Sequence, residues 1–372
     1  MRLTEPSSGA ALRQSPARRR RLLGGLGAAI LALLTLEGGA RLALLVLGSD
    51  AAPIEVAWES ATRRHTGPYA LVYAPDPVLF FRLRPNLELA ETGNPRLFDL
   101  RTNSLALRGP EVAIEKPAGS LRLIAVGDSC TFGSGAGTQQ TYPAQLEQRL
   151  RALRPDLSVE VVNAGVPGFT SYQALRWLET EGFALSPDIV VFASAVNDAA
   201  PARAGGMHRF GATREFTDRE FGLALRAQAA GWGITRLLWR LGIHLGAPPP
   251  EAAGPKRRVP LEEYRANLAA FAAQSAAHGA TPVILAWPFE RQVRGEPPID
   301  ELEAEARRYQ EAARETAREQ GVLFVDLSRP LAGRASLFID VVHLNAAGYG
   351  VVAEAVATAL EPLLPKAARA AP

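Results

Sequence analysis

The chain has a single cysteine, Cys130, among 372 residues. No intrachain disulfide can form, and no cysteine near the start offers an attachment point for an N-terminal lipid. A core of this size needs no covalent staples, so export stays open. Histidines are also few. His65, His208, His244 and His278 are scattered without metal-ligand spacing, so no metal is expected. An excess of basic charge is missing beyond the first 21 residues. Those carry six Arg against one Glu, so the net charge of +3 belongs to this tail and the remainder sums to about −2. The body has no aromatic-interleaved basic patch, no zinc spacing and no recognition helix, which argues against a nucleic-acid partner. Gly133-Ser134-Gly135-Ala136-Gly137 lacks the Lys-Ser/Thr ending of a phosphate loop and the dinucleotide spacing, so no cofactor is expected.

What the N-terminus does contain is a membrane pattern. Residues 1–21 form a basic tail too poor in apolar residues to fold. Residues 22–47 follow as an apolar run interrupted by Glu37 and Arg41. Leu22 to Leu36 alone is short of the ~20 residues a spanning helix requires, but the run through Leu47 is long enough. Glu37 and Arg41 lie four apart and would pair on one helix face, lowering the cost of burying them. The Arg18–Arg21 cluster sets the orientation, with the tail inside and the bulk of the chain outside. The expectation is a signal-anchor in the cell inner membrane with a periplasmic domain. The alternative is secretion after cleavage before Arg41, where Gly38 and Ala40 supply small residues.

Residues 48–118 read as a connector with short strand-like pieces at 70–73 and 78–83. From residue 119 to 362 the pattern is regular. Strands are expected at 121–126, 159–162, 188–194, 281–286 and 322–325, the third near-continuously apolar as in a sheet buried on both faces. Helices alternate with them at 144–153, 171–181, 261–278, 299–320 and 345–360. This predicts an α/β domain, a three-layer α/β/α sandwich on a five-stranded parallel sheet. Residues 199–260 break the rhythm as an insertion, where Trp232 and Trp239, seven apart, either pack it or stack on a sugar. Residues 363–372 form a tail.

Chemistry concentrates in two places. Gly127-Asp128-Ser129 ends the first apolar strand, at the carboxyl edge of the sheet where ligands bind in open α/β folds. Asp340-Val341-Val342-His343 is the chain's one Asp-x-x-His. Together they supply a nucleophile (Ser129), a base (His343) and an orienting carboxylate (Asp340). Thr131 stands where the Gly-x-Ser-x-Gly elbow of the α/β-hydrolases would have glycine, so that fold is not indicated.

These motifs resemble the blocks of the SGNH (GDSL-type) hydrolase superfamily, and of its bacterial membrane-anchored members in particular. Gly127-Asp128-Ser129 corresponds to the nucleophile block. Asn163-Ala164-Gly165-Val166-Pro167-Gly168 resembles the second block and Ala195-Val196-Asn197-Asp198 the third, with Ala195 where the family has glycine. Asp340-x-x-His343 corresponds to the last. Asn103 to Gly109 resembles a segment upstream of the domain in anchored relatives, and the likeness covers roughly residues 75–362. It implies a flavodoxin-like SGNH fold and an oxyanion hole built from the N–H of Ser129, the N–H of Gly168 and the amide of Asn197. Gly165 remains open as the glycine donor. Asp198 is read as fixing its loop through backbone bonds, and Cys130 as a packing residue behind the nucleophile. The implied activity is hydrolysis of an acyl ester, an O-acetyl group on a carbohydrate being the expected partner. Two alternatives remain: O-acyl transfer to envelope polysaccharide at the same site, and a non-catalytic glycan-binding or assembly role.

Overall fold

The computed structural model describes residues 28, 31–43, 72–76, 78–90, 99–202, 217–219, 222, 234 and 256–365. The chain divides into two compact units, one of Met1–Asp50 with Ala227–Gly246 and one of Ala51–Arg226 with Ala247–Pro372. In the first unit residues 31–43 are helical. Arg41 Nε meets Glu37 Oε1 at 2.7 Å, the i,i+4 pair that the spacing predicts. The other Glu37 oxygen accepts the N–H of Ile234 at 3.1 Å. Leu31, Leu34, Leu36 and Leu42 on this helix are exposed. Among the described residues no helix is long and apolar enough to cross a membrane. Residue 28 apart, the rest of the expected 22–47 span lies outside the described residues, as do the 1–21 tail, Trp232, Trp239 and residues 366–372.

The second unit opens with two small antiparallel pairs, β1 (Tyr73–Asp76) with β2 (Phe80–Leu83), and β3 (Glu88–Leu89) with β4 (Leu100–Arg101). Asp76 closes the first turn by accepting the N–H groups of Val78 and Leu79, each at 2.8 Å. The hairpin's Leu79, Phe81 and Leu83 join the main core.

The central sheet holds β5 (Ser120–Gly127), β6 (Ser158–Gly165), β7 (Ile189–Ala193), β8 (Thr281–Ala286) and β9 (Leu323–Asp326), all parallel, in the order β6-β5-β7-β8-β9. Leu123, Ile124, Ala125 and Val126 are fully buried, as their unbroken apolar run requires of a strand covered on both faces. Arg122 is the exception. Its guanidinium, also fully buried, meets Glu160 on the neighbouring strand at 2.6 Å and the carbonyl of Leu185 at 2.6 Å.

The helices of the described unit are α1 (Ser129–Phe132), α2 (Tyr142–Leu153), α3 (Ser171–Trp177), α4 (Val196–Ala199), α5 (Leu261–Ala277), α6 (Glu290–Val293), α7 (Glu301–Gln320), α8 (Ser328–Leu331) and α9 (Ala346–Leu360). α2 packs with α9, while α5 packs with both α3 and α7. Right-handed crossovers from a strand order that reverses at β5 put these two groups on opposite faces, giving three layers. Helix ends follow side-chain chemistry. Asp300 caps α7 through the N–H of Glu303 at 2.8 Å, and Gly321 ends it in the left-handed region. Asn345 caps α9 through Gly348 at 3.0 Å, two residues after His343.

The expected insertion at 199–260 is described only at its ends and at residues 217–219, 222 and 234. Ala199, Arg258 and Val259 are buried in the domain, where the returning end of the excursion bonds to the carbonyls of Asp198 and Ala200 at the end of α4. Most of what lies between is outside the described residues.

Candidate active site

The strand order reverses at β5, and the ends of β5, β6 and β7 meet there, as in other open parallel sheets with a ligand crevice at the switch point. At the end of β5 Gly127 is squeezed. A Cβ there would enter the carbonyl oxygen of Ala193 and sit against Thr131 Oγ1. Asp128 then caps the single-turn α1, its Oδ1 accepting the N–H of Cys130 at 2.9 Å. Ser129 is the first residue of that turn, with its hydroxyl turned outward. Gly133 and Gly135, both at φ +89°, close the loop behind it.

Arg108, from the segment before the domain, locks this loop. Its guanidinium donates to the carbonyls of Phe132 at 2.9 Å, Gly133 at 3.0 Å and Ala136 at 2.7 Å, and lies over the Phe132 ring. Burial lowers its pKa to about 10, against the nearby Tyr349 and Asp99. Asn163, at the end of β6, adds a bond from its amide to the Phe132 carbonyl at 3.2 Å.

The Asp340–His343 segment returns from beyond β9. A tight loop, with the Ile339 N–H on the His343 carbonyl at 2.9 Å, turns both side chains toward Ser129. Trp287 Nε1 holds the Val342 carbonyl at 2.9 Å, and the Glu290 N–H holds that of Val341 at 2.9 Å. His343 Nε2 stands 2.7 Å from Ser129 Oγ, and Nδ1 stands 2.8 Å from Asp340 Oδ2. Asp340 Oδ1 also accepts the N–H groups of Val342 at 3.0 Å and His343 at 2.8 Å. Burial alone would raise the Asp340 carboxyl. The ring of His343 and these two N–H groups outweigh it and hold the group well below the usual carboxylate range.

The side facing Ser129 is made by the loops after β6 and β7. Gly165 is occupied, since its N–H donates to Asn163 Oδ1 at 3.0 Å and its Cα packs against the backbone of Thr131 and Phe132. Gly168 sits at φ +87° with only Phe81 near a would-be Cβ. Among the described residues its N–H has no protein acceptor. Of the two glycines, Gly165 has its N–H already used within the fold. Asn197 Nδ2 donates one hydrogen to the Phe169 carbonyl at 2.9 Å, which orients the amide, and stands 3.5 Å from Asp128 Oδ2. Its second hydrogen is directed at that Asp128 oxygen, on the residue preceding Ser129.

Asp198 lies beneath. Its Oδ1 accepts the N–H of Ser171 at 2.9 Å, its Oδ2 accepts the hydroxyl of Ser194, and its carbonyl accepts the N–H of Val259. Burial pushes its carboxyl up to about 7. It fixes the loops and does not face the crevice. Burial also pushes the Asp128 carboxyl up, partly offset by the N–H of Cys130 and by His343. Cys130 is sealed under Ser129, its thiol pushed well above its ordinary value by burial. Among the described residues no three His, Cys, Asp or Glu side chains stand together in a way that would hold a metal ion.

The profile of the GDSL-like Lipase/Acylhydrolase family matches residues 125–351, more than half of the chain and all of the residues just described from Ser129 to His343. The chain belongs to this family. As a GDSL-family protein it is a carboxylic ester hydrolase on an α/β fold. Solved structures similar to it include the acetylxylan esterase Axe2 from Geobacillus stearothermophilus, 21% identical, covering 65% of this chain and 95% of that one at a TM-score of 0.43. LAE5, an alpha/beta hydrolase enzyme from the metagenome of Lake Arreo, is 23% identical and covers 67% of this chain and 99% of its own at 0.43. The lipase/acylhydrolase from Enterococcus faecalis is 17% identical and covers 67% of this chain and 100% of its own at 0.43. No curated protein matches the chain.

Of the residues that the sequence motifs singled out, Ser129, His343 and Asp340 are hydrogen-bonded in series, Asn197 meets Asp128 beside Ser129, and Gly168 lies in the loop after β6. Sequence reading missed Arg258, whose guanidinium donates to the Gly168 carbonyl at 2.9 Å. It lies in a Lys-Arg-Arg run that looks like solvated surface, and no local pattern marks it as buried.

Proposed function

We propose that this family member cleaves an O-acyl ester on a carbohydrate, an acetyl group in particular, with Ser129 as nucleophile. The observation that carries this reading is the relay from Asp340 through His343 to Ser129, at 2.8 and 2.7 Å. Asp340 holds the proton of His343 on Nδ1, leaving Nε2 to accept from the serine hydroxyl. Oγ then attacks the acyl carbonyl. The oxyanion meets the N–H of Ser129, the N–H of Gly168 and the amide of Asn197, where losing one donor costs about 3–4 kcal/mol. His343 returns the proton to the leaving alkoxide as the C–O bond breaks. Water attacks the acyl-enzyme with His343 again as base, and the acid is released.

The site is proposed to work outside the cytoplasmic membrane, tethered by the 22–47 segment. The Arg18–Arg21 cluster before an apolar run supports this orientation, and the exposed leucines of helix 31–43 support contact with lipid. An outward-facing site meets envelope glycans, which supports the carbohydrate ester. Protease treatment of spheroplasts should digest the domain from outside; full protection would place it in the cytoplasm.

The deciding experiment compares the full-length chain with Ser129→Ala on p-nitrophenyl acetate, p-nitrophenyl butyrate and an acetylated oligosaccharide. The variant should fall to background, stay folded, and lose labelling by a fluorophosphonate probe. Retention of most of the turnover would end the mechanism. Acetyl appearing on an added glycan, with none released as acetate, would reassign the protein to acyl transfer.

A further inference from the structure

The excursion that leaves the domain after α4 and returns before α5 is stitched at its base to the loop carrying Gly168. Its ends are tied by backbone bonds. The N–H of Ala202 meets the carbonyl of Lys256 at 2.7 Å, that of Arg258 meets Ala200 at 2.9 Å, and that of Asp218 meets Arg258 at 2.7 Å. From this base Arg258 reaches inward, and only 4% of its side chain is exposed, beside 5% for Asp218.

The guanidinium is shared between that loop and Asp218 of the excursion. Nη1 donates to the Gly168 carbonyl at 2.9 Å. Nη2 donates to Asp218 Oδ2 at 3.0 Å and to Gln173 Oε1 at 3.1 Å, and Nε faces Asp218 Oδ1 at 3.3 Å. Asp218 Oδ2 also accepts the hydroxyl of Thr170 at 2.7 Å. Gln173 Oε1 accepts the N–H of Thr170 at 3.2 Å, and its amide donates to the Leu79 carbonyl at 2.7 Å. Residues 168–173 are therefore gripped from one side by a charged pair and a glutamine. Within the loop itself the one backbone bond near Gly168 is from Phe169 to Val166, at 3.0 Å.

A buried ion pair is a poor way to stabilise a fold, since well-packed apolar residues of equal volume usually do as well or better. What a forked cation offers is geometry: several acceptors held at fixed directions. An oxyanion donor needs that, because a shift of about 1 Å at a reacting group costs on the order of a hundredfold in rate.

We infer that Arg258, oriented by Asp218, is a positioning residue for the oxyanion hole, fixing the left-handed Gly168 so that its N–H faces the acyl oxygen. This rests on the esterase reading given above. It also makes the base of the excursion part of the reaction machinery, with Arg258 and Asp218 acting through Gly168.

The test uses the full-length protein with Arg258→Met, Arg258→Lys and Asp218→Asn, beside Ser129→Ala, on p-nitrophenyl acetate. A trifluoromethyl ketone, which becomes an oxyanion when the serine adds to it, reads the hole directly. Arg258→Met should lower kcat by roughly a hundredfold with KM within about threefold. Trifluoromethyl ketone affinity should fall by the same factor as kcat/KM. Arg258→Lys should restore thermal stability but not kcat, because an ammonium cannot reach Asp218, Gln173 and Gly168 together. Asp218→Asn should lose roughly tenfold in kcat, and it decides the matter if Arg258→Met does not fold. A folded variant with kcat within threefold of the wild type would overturn the inference. So would a loss of kcat with ketone affinity unchanged, or a rise in KM alone. An inactive Ser129→Ala in the same series keeps the esterase reading whichever way Arg258 falls, and an active one removes that reading by itself.

Discussion

Replacing Asp340 by Asn probes the relay by changing one atom. In the wild type Oδ1 is fixed by two backbone N–H groups, those of Val342 at 3.0 Å and His343 at 2.8 Å, while Oδ2 faces His343 Nδ1 at 2.8 Å. The asparagine oxygen must take the Oδ1 position, because an NH2 group there would point its hydrogens at two donors. Its amide nitrogen is then forced against Nδ1. An NH2 at that distance donates to Nδ1 and drives the imidazole proton to Nε2, where it points at Ser129 Oγ. The base becomes a donor to the hydroxyl it should deprotonate. A wrong tautomer with intact geometry costs about 10⁴ in kcat, or about 5 kcal/mol at 1.36 kcal/mol per decade. The assay is p-nitrophenyl acetate hydrolysis at pH 7.5, with fluorophosphonate labelling as a second measure of the nucleophile. A loss below tenfold, or unchanged labelling, would refute the argument that Asp340 sets the tautomer. The same variant should change acid stability. A carboxyl held below its ordinary value stabilises the fold above that value, and the contribution disappears as pH falls through the lowered one. Asp340→Asn lacks that contribution at neutral pH and should show a shallower loss of stability below about pH 4.

Asp198, raised from 3.8 to about 7, follows the opposite sign: its contribution is present below pH 4 and lost as pH rises through 7. Urea unfolding should therefore show the wild type losing up to about 4 kcal/mol between pH 4 and 8 from this group; an equal slope in Asp198→Asn would dismiss it. Arg108→Met leaves the carbonyls of Phe132, Gly133 and Ala136 without their buried donor and should cost about 3 kcal/mol or more in the same experiment. A change under 1 kcal/mol would mean the loop finds other donors. Gly165→Ala forces a methyl into the backbone of Phe132 and should displace the turn bearing Ser129, lowering kcat and Tm together. An alanine variant with normal turnover would show that the end of β6 and the turn bearing Ser129 are not in fixed contact.

The elements that carry the site were legible because each obeys a strong local rule. β5 and β7 read as strands buried on both faces, since their apolar runs contain no alternation, and the structure places them within a residue or two of the expected bounds. The triad was legible because Asp340 and His343 are close in sequence and no other pair shares their spacing. The choice between Gly165 and Gly168 was not, because it depends on whose N–H is already used. Arg108, Arg122 and Arg258 were equally hidden. An arginine in sequence looks the same whether its fork meets water or, as for these three, carbonyls 8 to 90 residues away. β3 and β4, at two residues each, are too short to leave a pattern.

The sealed thiol under the reactive serine has a practical consequence. With Cys130 shielded and kept in its unreactive form, a maleimide added to the folded protein finds no native target. A cysteine placed anywhere on the surface would thus be the sole attachment point for a fluorophore or spin label. Distances across the domain could be followed during turnover without first engineering the native residue away from beside the nucleophile.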